Sequence, residues 1–151
     1  VKEIIYVDTS VFGGCFDKEF MEDSLKLMEE FKRGSKKMMY SNLVSEELKA
    51  ARNEVRNQPL QVPLMHCVWT KAPFKARLLA NRYIAEGILG YDSEVDAMHI
   101  ATATLQNADV VASWNFKHMA NESRIQRFNK INTNMGLRTI KIKTPHAILN
   151  P

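Results

Sequence analysis

Four stretches of this chain end in oxygen-bearing side chains, spaced as an open α/β sheet would need them. Asp8 closes the apolar run IIYV. Glu46 and Glu47 belong to SNLVSEEL, Asp96 to VDAMHIATA, and Asn115 to VVASWNF. Together they offer carboxylates and one neutral amide oxygen. An all-oxygen set of this kind suits a hard cation such as Mg²⁺ or Mn²⁺ and is too hard for zinc. Each residue also has a plainer reading. Asp8 could be a turn or helix-cap acid, with Ser10 the better cap candidate. The Glu46-Glu47 pair could answer only to the helix dipole. Asp96 could close a capping box with Ser93. The combination favours the metal reading, because no Gly-rich phosphate loop, Ser-His-Asp order or H-E-x-x-H motif competes with it.

The elements that must bring these residues together can be read from apolar periodicity. Ile4–Val7 is an apolar, β-branched run that predicts a strand buried on both faces. A short helix, broken at Gly13-Gly14, follows it. Residues 23–34 form an amphipathic helix ending at Gly34, residues 38–41 a second strand, and residues 41–51 another helix. Residues 53–63, with Asn57, Pro59 and Pro63, predict a loop or broken helix, and residues 64–68 a third strand. Pro73 opens a helix reaching about Leu89. Residues 93–105 predict a helix apolar on more than one face, and residues 109–112 a short strand. Residues 116–128 read as mixed helix or loop, residues 129–136 as a polar loop, and residues 139–142 as the last strand, stopped at Thr144-Pro145. Strands alternating with helices predict a three-layer α/β/α sandwich around a mostly parallel sheet, formed by residues 1–151 as a single domain. Ligands of such sheets bind outside the carboxyl ends of the strands, which is where Asp8 and Asn115 fall.

At 151 residues, 45% hydrophobic and 25% charged, the chain has the composition of an ordinary globular domain rather than a disordered one. Cys15 and Cys67 are too few for a disulfide framework. With neither a leader nor a membrane-length apolar run in view, the expectation is a soluble cytoplasmic protein. The net charge of +4 is unevenly distributed. Residues 1–34 carry five Lys or Arg against eight Asp or Glu, whereas residues 117–143 carry seven against Glu122 alone. A basic last third would attract phosphates if it folded beside the acids, although a solvated basic face is the plainer reading.

The stretches YVDTSVF, SNLVSEEL, VDAMHIATA and VVASWNF, in this order, resemble the PIN-domain nucleases, and within them the VapC-like ribonuclease toxins and their prokaryotic relatives. That resemblance spans the chain from the first strand to near its end. It implies a PIN-like fold and a metal-dependent endoribonuclease that hydrolyses RNA phosphodiester bonds, a hydrolase with Mg²⁺ or Mn²⁺ as cofactor. It further implies the toxin role of a type II toxin–antitoxin pair, RNA and an antitoxin protein as partners, and a homodimer. Carried onto this sequence, it assigns metal-binding and catalytic roles to Asp8, Glu47, Asp96 and Asn115. Glu47 is preferred to Glu46 because it precedes the leucine of its motif. Ser10 and Ser113 become supporting residues, with Ser113 holding the loop or an outer carboxylate that does not itself bind the metal.

One position departs from the family pattern, in which the fourth motif has an Asp where this chain has Asn115. An amide oxygen brings no charge, so a second metal site would be weakened. This keeps open an alternative, a PIN fold retained as a partner-binding or regulatory module with weakened catalysis. A third class, the haloacid-type phosphatases and receiver domains, shares an Asp ending the first strand. The former want a second acid where this chain has Ser10, and the latter an acidic pair that this chain lacks. Among the neighbouring residues, Lys117 and His118 are the candidates for substrate phosphate contact. His99, three residues after Asp96 and on the same helix face, could be a D-x-x-H ligand, but is read as a packed, hydrogen-bonded core histidine. Trp114 and Phe116 could stack a nucleobase, with core packing expected for at least one. Asp92 and Asp109 are read as loop acids.

Overall fold

The computed structural model of the chain describes residues 1–90 and 93–151; Asp92 lies outside them. Five strands, Ile4–Val7 (β1), Lys37–Ser41 (β2), Cys67–Thr70 (β3), Val110–Ala112 (β4) and Lys141–Lys143 (β5), form one all-parallel sheet in the order β3-β2-β1-β4-β5. Neighbouring parallel strands need long crossovers, and these are helical. Thr9–Gly14 (α1) and Met21–Arg33 (α2) join β1 to β2; Asn42–Leu48 (α3) and Asn53–Arg56 (α4) precede β3. Phe74–Ala85 (α5) and Glu94–Leu105 (α6) carry the chain back across the sheet to β4, Glu122–Asn134 (α7) leads to β5, and Pro145–Leu149 (α8) ends the order. Successive strand residues face opposite sides, so the complete burial of Ile5, Tyr6 and Val7 requires cover on both faces of the sheet. The three-layer arrangement follows from that requirement. No described helix is long and apolar enough to cross a membrane.

β1 lies at the centre, pairing with β2 on one side and β4 on the other, with Val7 opposite Ala112. The chain grows outward through β2 and β3, then reverses past β1 to β4 and β5. The carboxyl ends of β1 and β4 therefore flank the point where the strand order reverses, the usual ligand crevice of an open parallel sheet.

Local sequence explains most element ends. α2 stops at Gly34, whose φ of 79° closes the helix in the left-handed region. α3 starts at Ser41, whose hydroxyl accepts from the Val44 amide. Several expected boundaries are corrected. Gly13 and Gly14 belong to α1 rather than breaking it. The third strand begins at Cys67, because Leu64–His66 forms a 3-10 turn after Pro63. α5 ends at Ala85, short of Leu89, with Gly87 at φ 77°. The polar stretch expected as a loop over residues 129–136 is mostly helix, since α7 runs to Asn134. Phe128, Ile131 and Asn132 are buried on one stripe of that helix, and Asn132 accepts from the buried Tyr83 hydroxyl at 2.6 Å. The last strand begins at Lys141 instead of Thr139.

Candidate functional site

The residue after β1 is Asp8. Its amide donates to Ala112 O at 3.0 Å, which continues the β1–β4 ladder by one step and fixes where the carboxylate emerges. Its Oδ2 accepts from two hydroxyls, Ser10 Oγ at 2.8 Å and Ser113 Oγ at 2.9 Å. Ser10 is thus not the helix cap; Asp8 stands at that position, without a side-chain capping bond. Ser10 Oγ also accepts from the Trp114 amide, and Ser113 Oγ from the Asn115 amide, so both ends of the sheet crevice are tied to the same carboxylate oxygen.

Glu47 reaches the crevice from α3. Its Oε1 accepts from Thr9 Oγ1 at 2.8 Å and from His99 Nε2 at 2.5 Å. Burial would raise its pKa, but the hydrogen bond and charge of His99, with the Thr9 hydroxyl, hold this carboxyl below its usual range. Glu46, the alternative in the pair, points outward and ion-pairs with Lys49 at 2.8 Å.

His99 is fully buried on α6, as its apolar neighbours predict, but it also faces the acids. Its Nε2 lies 3.6 Å from Asp8 Oδ1 as well as against Glu47. Ligand atoms of Asp8, Glu47 and His99 all lie within 4.8 Å of one another. The expectation of a packed, hydrogen-bonded core histidine agrees with its full burial and two ring hydrogen bonds; its place beside the acids was not expected. The D-x-x-H spacing was its available signal, since residues three apart share a helix face.

Asp96 stands beside this group, one turn before His99. Ser93 precedes α6 but makes no side-chain capping bond, and its hydroxyl is paired with His118 Nδ1 at 2.7 Å, so the capping box does not form. Asp96 Oδ2 instead accepts from Asn115 Nδ2 at 3.1 Å and lies 3.7 Å from His118 Nδ1. Burial, then the negative charge of Asp8, raise the Asp96 pKa, with His99 and His118 opposing and Glu47 adding to it.

Asn115 is oriented by the backbone. Its Oδ1 accepts from the His118 amide at 3.0 Å, which leaves the NH₂ group to face Asp96. Asn115 therefore meets the cluster as a donor, and its oxygen is turned away from the other acids' site. Trp114 is packed: its ring stacks on Phe20 at 4.5 Å between centroids, and its Nε1 donates to Ser24 Oγ at 2.8 Å. Gly14 permits that approach, because a Cβ there would stand 2.9 Å from Trp114 Nε1. Phe116 remains 51% exposed and Lys117 is exposed. The basic residues of the last third are divided between the two edges. Lys143 ends β5 at this edge, but Arg138 lies 3.7 Å from Asp109, whose carboxylate accepts from the Ile4 amide at the opposite edge.

The electrostatics of the three acids share one pattern. Each has one oxygen held by protein donors. The other oxygens of Glu47 and Asp96 have no hydrogen-bond partner among the described residues, and Asp8 Oδ1 has only His99 at 3.6 Å. Among the described residues no Lys or Arg ion-pairs with any of the three. Held carboxylates with their remaining oxygens free, unneutralised by side-chain cations, have the donor chemistry of a hard divalent ion.

No protein-family model matches the sequence, and no curated protein matches it. Solved structures do. VapBC2 from Rickettsia felis, crystallised with a DNA fragment from its promoter, has a TM-score of 0.58 at 15% identity over 93% of this chain and 98% of that one. VapC20 from Mycobacterium tuberculosis, a toxin that cleaves the sarcin-ricin loop, has a TM-score of 0.57 at 14% identity over 76% of this chain and 92% of that one.

The fold is PIN-like.

Within this PIN-like fold, Asp8 and Ser113 follow the carboxyl ends of two adjacent central strands, while Glu47 and Asp96 enter from α3 and α6, two helices that lie between those strands in the chain.

Proposed function

We propose that this chain is a metal-dependent endoribonuclease of the VapC-like kind, hydrolysing RNA phosphodiester bonds at the carboxyl edge of its sheet. The observation that carries the reading is the set of three acids, each with one oxygen held and one turned loose, with no Lys or Arg among the described residues to neutralise them. Asp8, Glu47 and Asp96 would hold Mg²⁺ or Mn²⁺. Such an ion, when bound, supplies Lewis acidity to a water and to the scissile phosphate.

The protein's own contribution is placement. Ser10 and Ser113 hold Asp8, so its Oδ1 is presented without a rotamer search. Thr9 and His99 do the same for Glu47, and Asn115 for Asp96. Lys117 and the free face of His118 are the groups placed to meet RNA phosphates, and the exposed ring of Phe116 lies beside them in the chain. A toxin role opposite an antitoxin, a cytoplasmic setting, a homodimer and a single domain belong to the same proposal. They rest on the motif resemblance and on the likeness to the VapBC2 and VapC20 structures.

A second reading has a specific observation in its favour. Asn115 contributes a donor and no charge to the cluster, which suits a PIN-like module that binds a partner with weakened catalysis. Incubating the protein with mixed-sequence single-stranded RNA in Mn²⁺, in Mg²⁺ and in chelator separates the two. The nuclease reading expects cleavage with metal and none in chelator. Intact RNA under all three conditions, together with normal folding, would favour the binding module.

A further inference from the structure

Beneath the acids, the His99–Glu47 bond continues into a buried chain of hydrogen bonds whose inner members have no place in the metal reading so far. Ser41 Oγ pairs with Tyr6 Oη at 2.8 Å, Tyr6 Oη with His99 Nδ1 at 2.5 Å, and His99 Nε2 with Glu47 Oε1 at 2.5 Å. Ser41, Tyr6 and His99 are fully buried, so no bulk water competes for these groups. The chain links β1, the end of β2, α6 and α3, which are the elements that also carry Asp8, Asp96 and Glu47. Ser41 has a second task, since its Oγ accepts from Val44 N at the start of α3, the helix on which Glu47 rides.

We infer that His99 is a positioning residue for Glu47, and that Tyr6, braced by Ser41, holds the imidazole with its Nε2 hydrogen aimed at that carboxylate. This rests on the metal-site reading above.

The hydrogen count supports the assignment without regard to the charge of the ring. Glu47, ionised, can only accept, so Nε2 must carry a hydrogen; a bare nitrogen lone pair at 2.5 Å from a carboxylate oxygen would repel it. If the ring is neutral, Nδ1 accepts from the Tyr6 hydroxyl, and Ser41 donates to Tyr6. If the ring is charged, Nδ1 donates to Tyr6, and Tyr6 donates to Ser41. The first arrangement uses every hydrogen, the second leaves the Ser41 hydroxyl hydrogen without an acceptor among the described residues, and both leave Nε2–H on Glu47. With both ring nitrogens engaged, the imidazole has no lone pair to offer an ion, so His99 acts through Glu47 and not as a ligand.

Glu47 needs such a partner. Its side chain is long, 36% exposed and based on a seven-residue helix, so nothing in its own element fixes the carboxylate. Removing the Tyr6 hydroxyl leaves the buried Nδ1 without its partner. The ring can then turn or change tautomer, and Glu47 keeps only the Thr9 hydroxyl as a donor.

Calorimetric titration with Mn²⁺ on the parent, Tyr6→Phe, His99→Leu and His99→Gln tests this, beside melting curves in chelator. Tyr6→Phe keeps the ring volume, and binding about tenfold weaker is expected from it. His99→Leu should weaken binding further. His99→Gln, whose amide N–H can reach toward Glu47, should recover part of the loss. Affinities of Tyr6→Phe and His99→Leu equal to the parent's, with only their melting temperatures lowered, would overturn the inference and leave the chain a purely structural network. Nitrogen coupling from imidazole in the electron-spin-echo spectrum of bound Mn²⁺ would also overturn it, by making His99 a ligand. A parent that takes up no Mn²⁺ would overturn the metal reading and this inference with it.

Discussion

The two edges of the sheet treat carboxylates in opposite ways. At the amino edge, just before β4, Asp109 accepts from the Ile4 amide at 2.8 Å and has the Arg138 guanidinium 3.7 Å away. That acid is satisfied by the protein and holds a strand start in place. At the carboxyl edge, the donors around Asp8, Glu47 and Asp96 are hydroxyls, an amide and histidines. Among the described residues, an arginine stands beside Asp109 and none ion-pairs with the three acids of the carboxyl edge. Unneutralised, partly buried acids cost stability unless a cation binds there, which is a reason to read the one edge as structural and the other as a site.

The largest expected effect separates neighbours within one motif. Glu47→Gln and Asp96→Asn should each lower RNA cleavage by roughly a hundredfold or more, because each removes charge from the proposed ion site. Glu46→Gln, which touches only the exposed Lys49 pair, should leave the rate unchanged. Equal losses for Glu46 and Glu47 in a cleavage time course would erase the distinction drawn between them.

Next is stability with metal. Mn²⁺ at a hundredfold excess over its dissociation constant should stabilise the fold by about 2.7 kcal/mol, or about 5–10 °C in melting temperature for a chain of this size. Asp109→Ala should retain that shift, since the ion site is at the other edge. A melting scan in which chelator and Mn²⁺ give the same midpoint would remove the electrostatic contrast between the edges.

Asn115→Asp sharpens the comparison in the intermediate range. A carboxylate there would stand where an amide now donates to Asp96 at 3.1 Å, so the metal-free protein should lose about 1–2 kcal/mol to repulsion. Divalent affinity and any cleavage should rise severalfold. Unchanged stability and unchanged affinity would place residue 115 outside the site. The smallest effect belongs to the amino edge: Asp109→Ala should cost about 1 kcal/mol by leaving the Ile4 amide without its acceptor, with cleavage intact. Chemical denaturation of this variant beside the parent measures it.

The same contrast explains what could be read in advance. β1 and β4 were legible because strands buried on both faces are apolar without interruption, and the acids ending or following such runs were legible as a set. The extent of α7 was hidden by its asparagines, which suggest loops. Asn132 is buried against the Tyr83 hydroxyl, a tertiary partner that local propensity does not contain. β3 was placed early because Leu64 and Met65 look like strand residues, although both are exposed on a 3-10 turn. At the site, Ser113 was expected to hold the loop or an outer carboxylate, whereas its hydroxyl donates to Asp8 itself, one of the acids proposed to hold the ion. The contacts of His99 were not legible, because a buried histidine in an apolar helix looks the same whether it meets a carbonyl or a glutamate. Nor was the orientation of Asn115, which depends on one backbone amide, that of His118.

Calorimetric titration with Mn²⁺ of three proteins, the parent, Asp8→Asn and Asp109→Ala, decides whether the carboxyl edge alone holds the ion. Both substitutions remove the charge of an acid placed at a strand boundary, one at each edge. The account predicts that the parent and Asp109→Ala bind Mn²⁺ with the same affinity while Asp8→Asn shows no saturable binding. Equal binding by all three, or loss of binding in Asp109→Ala alone, would contradict it.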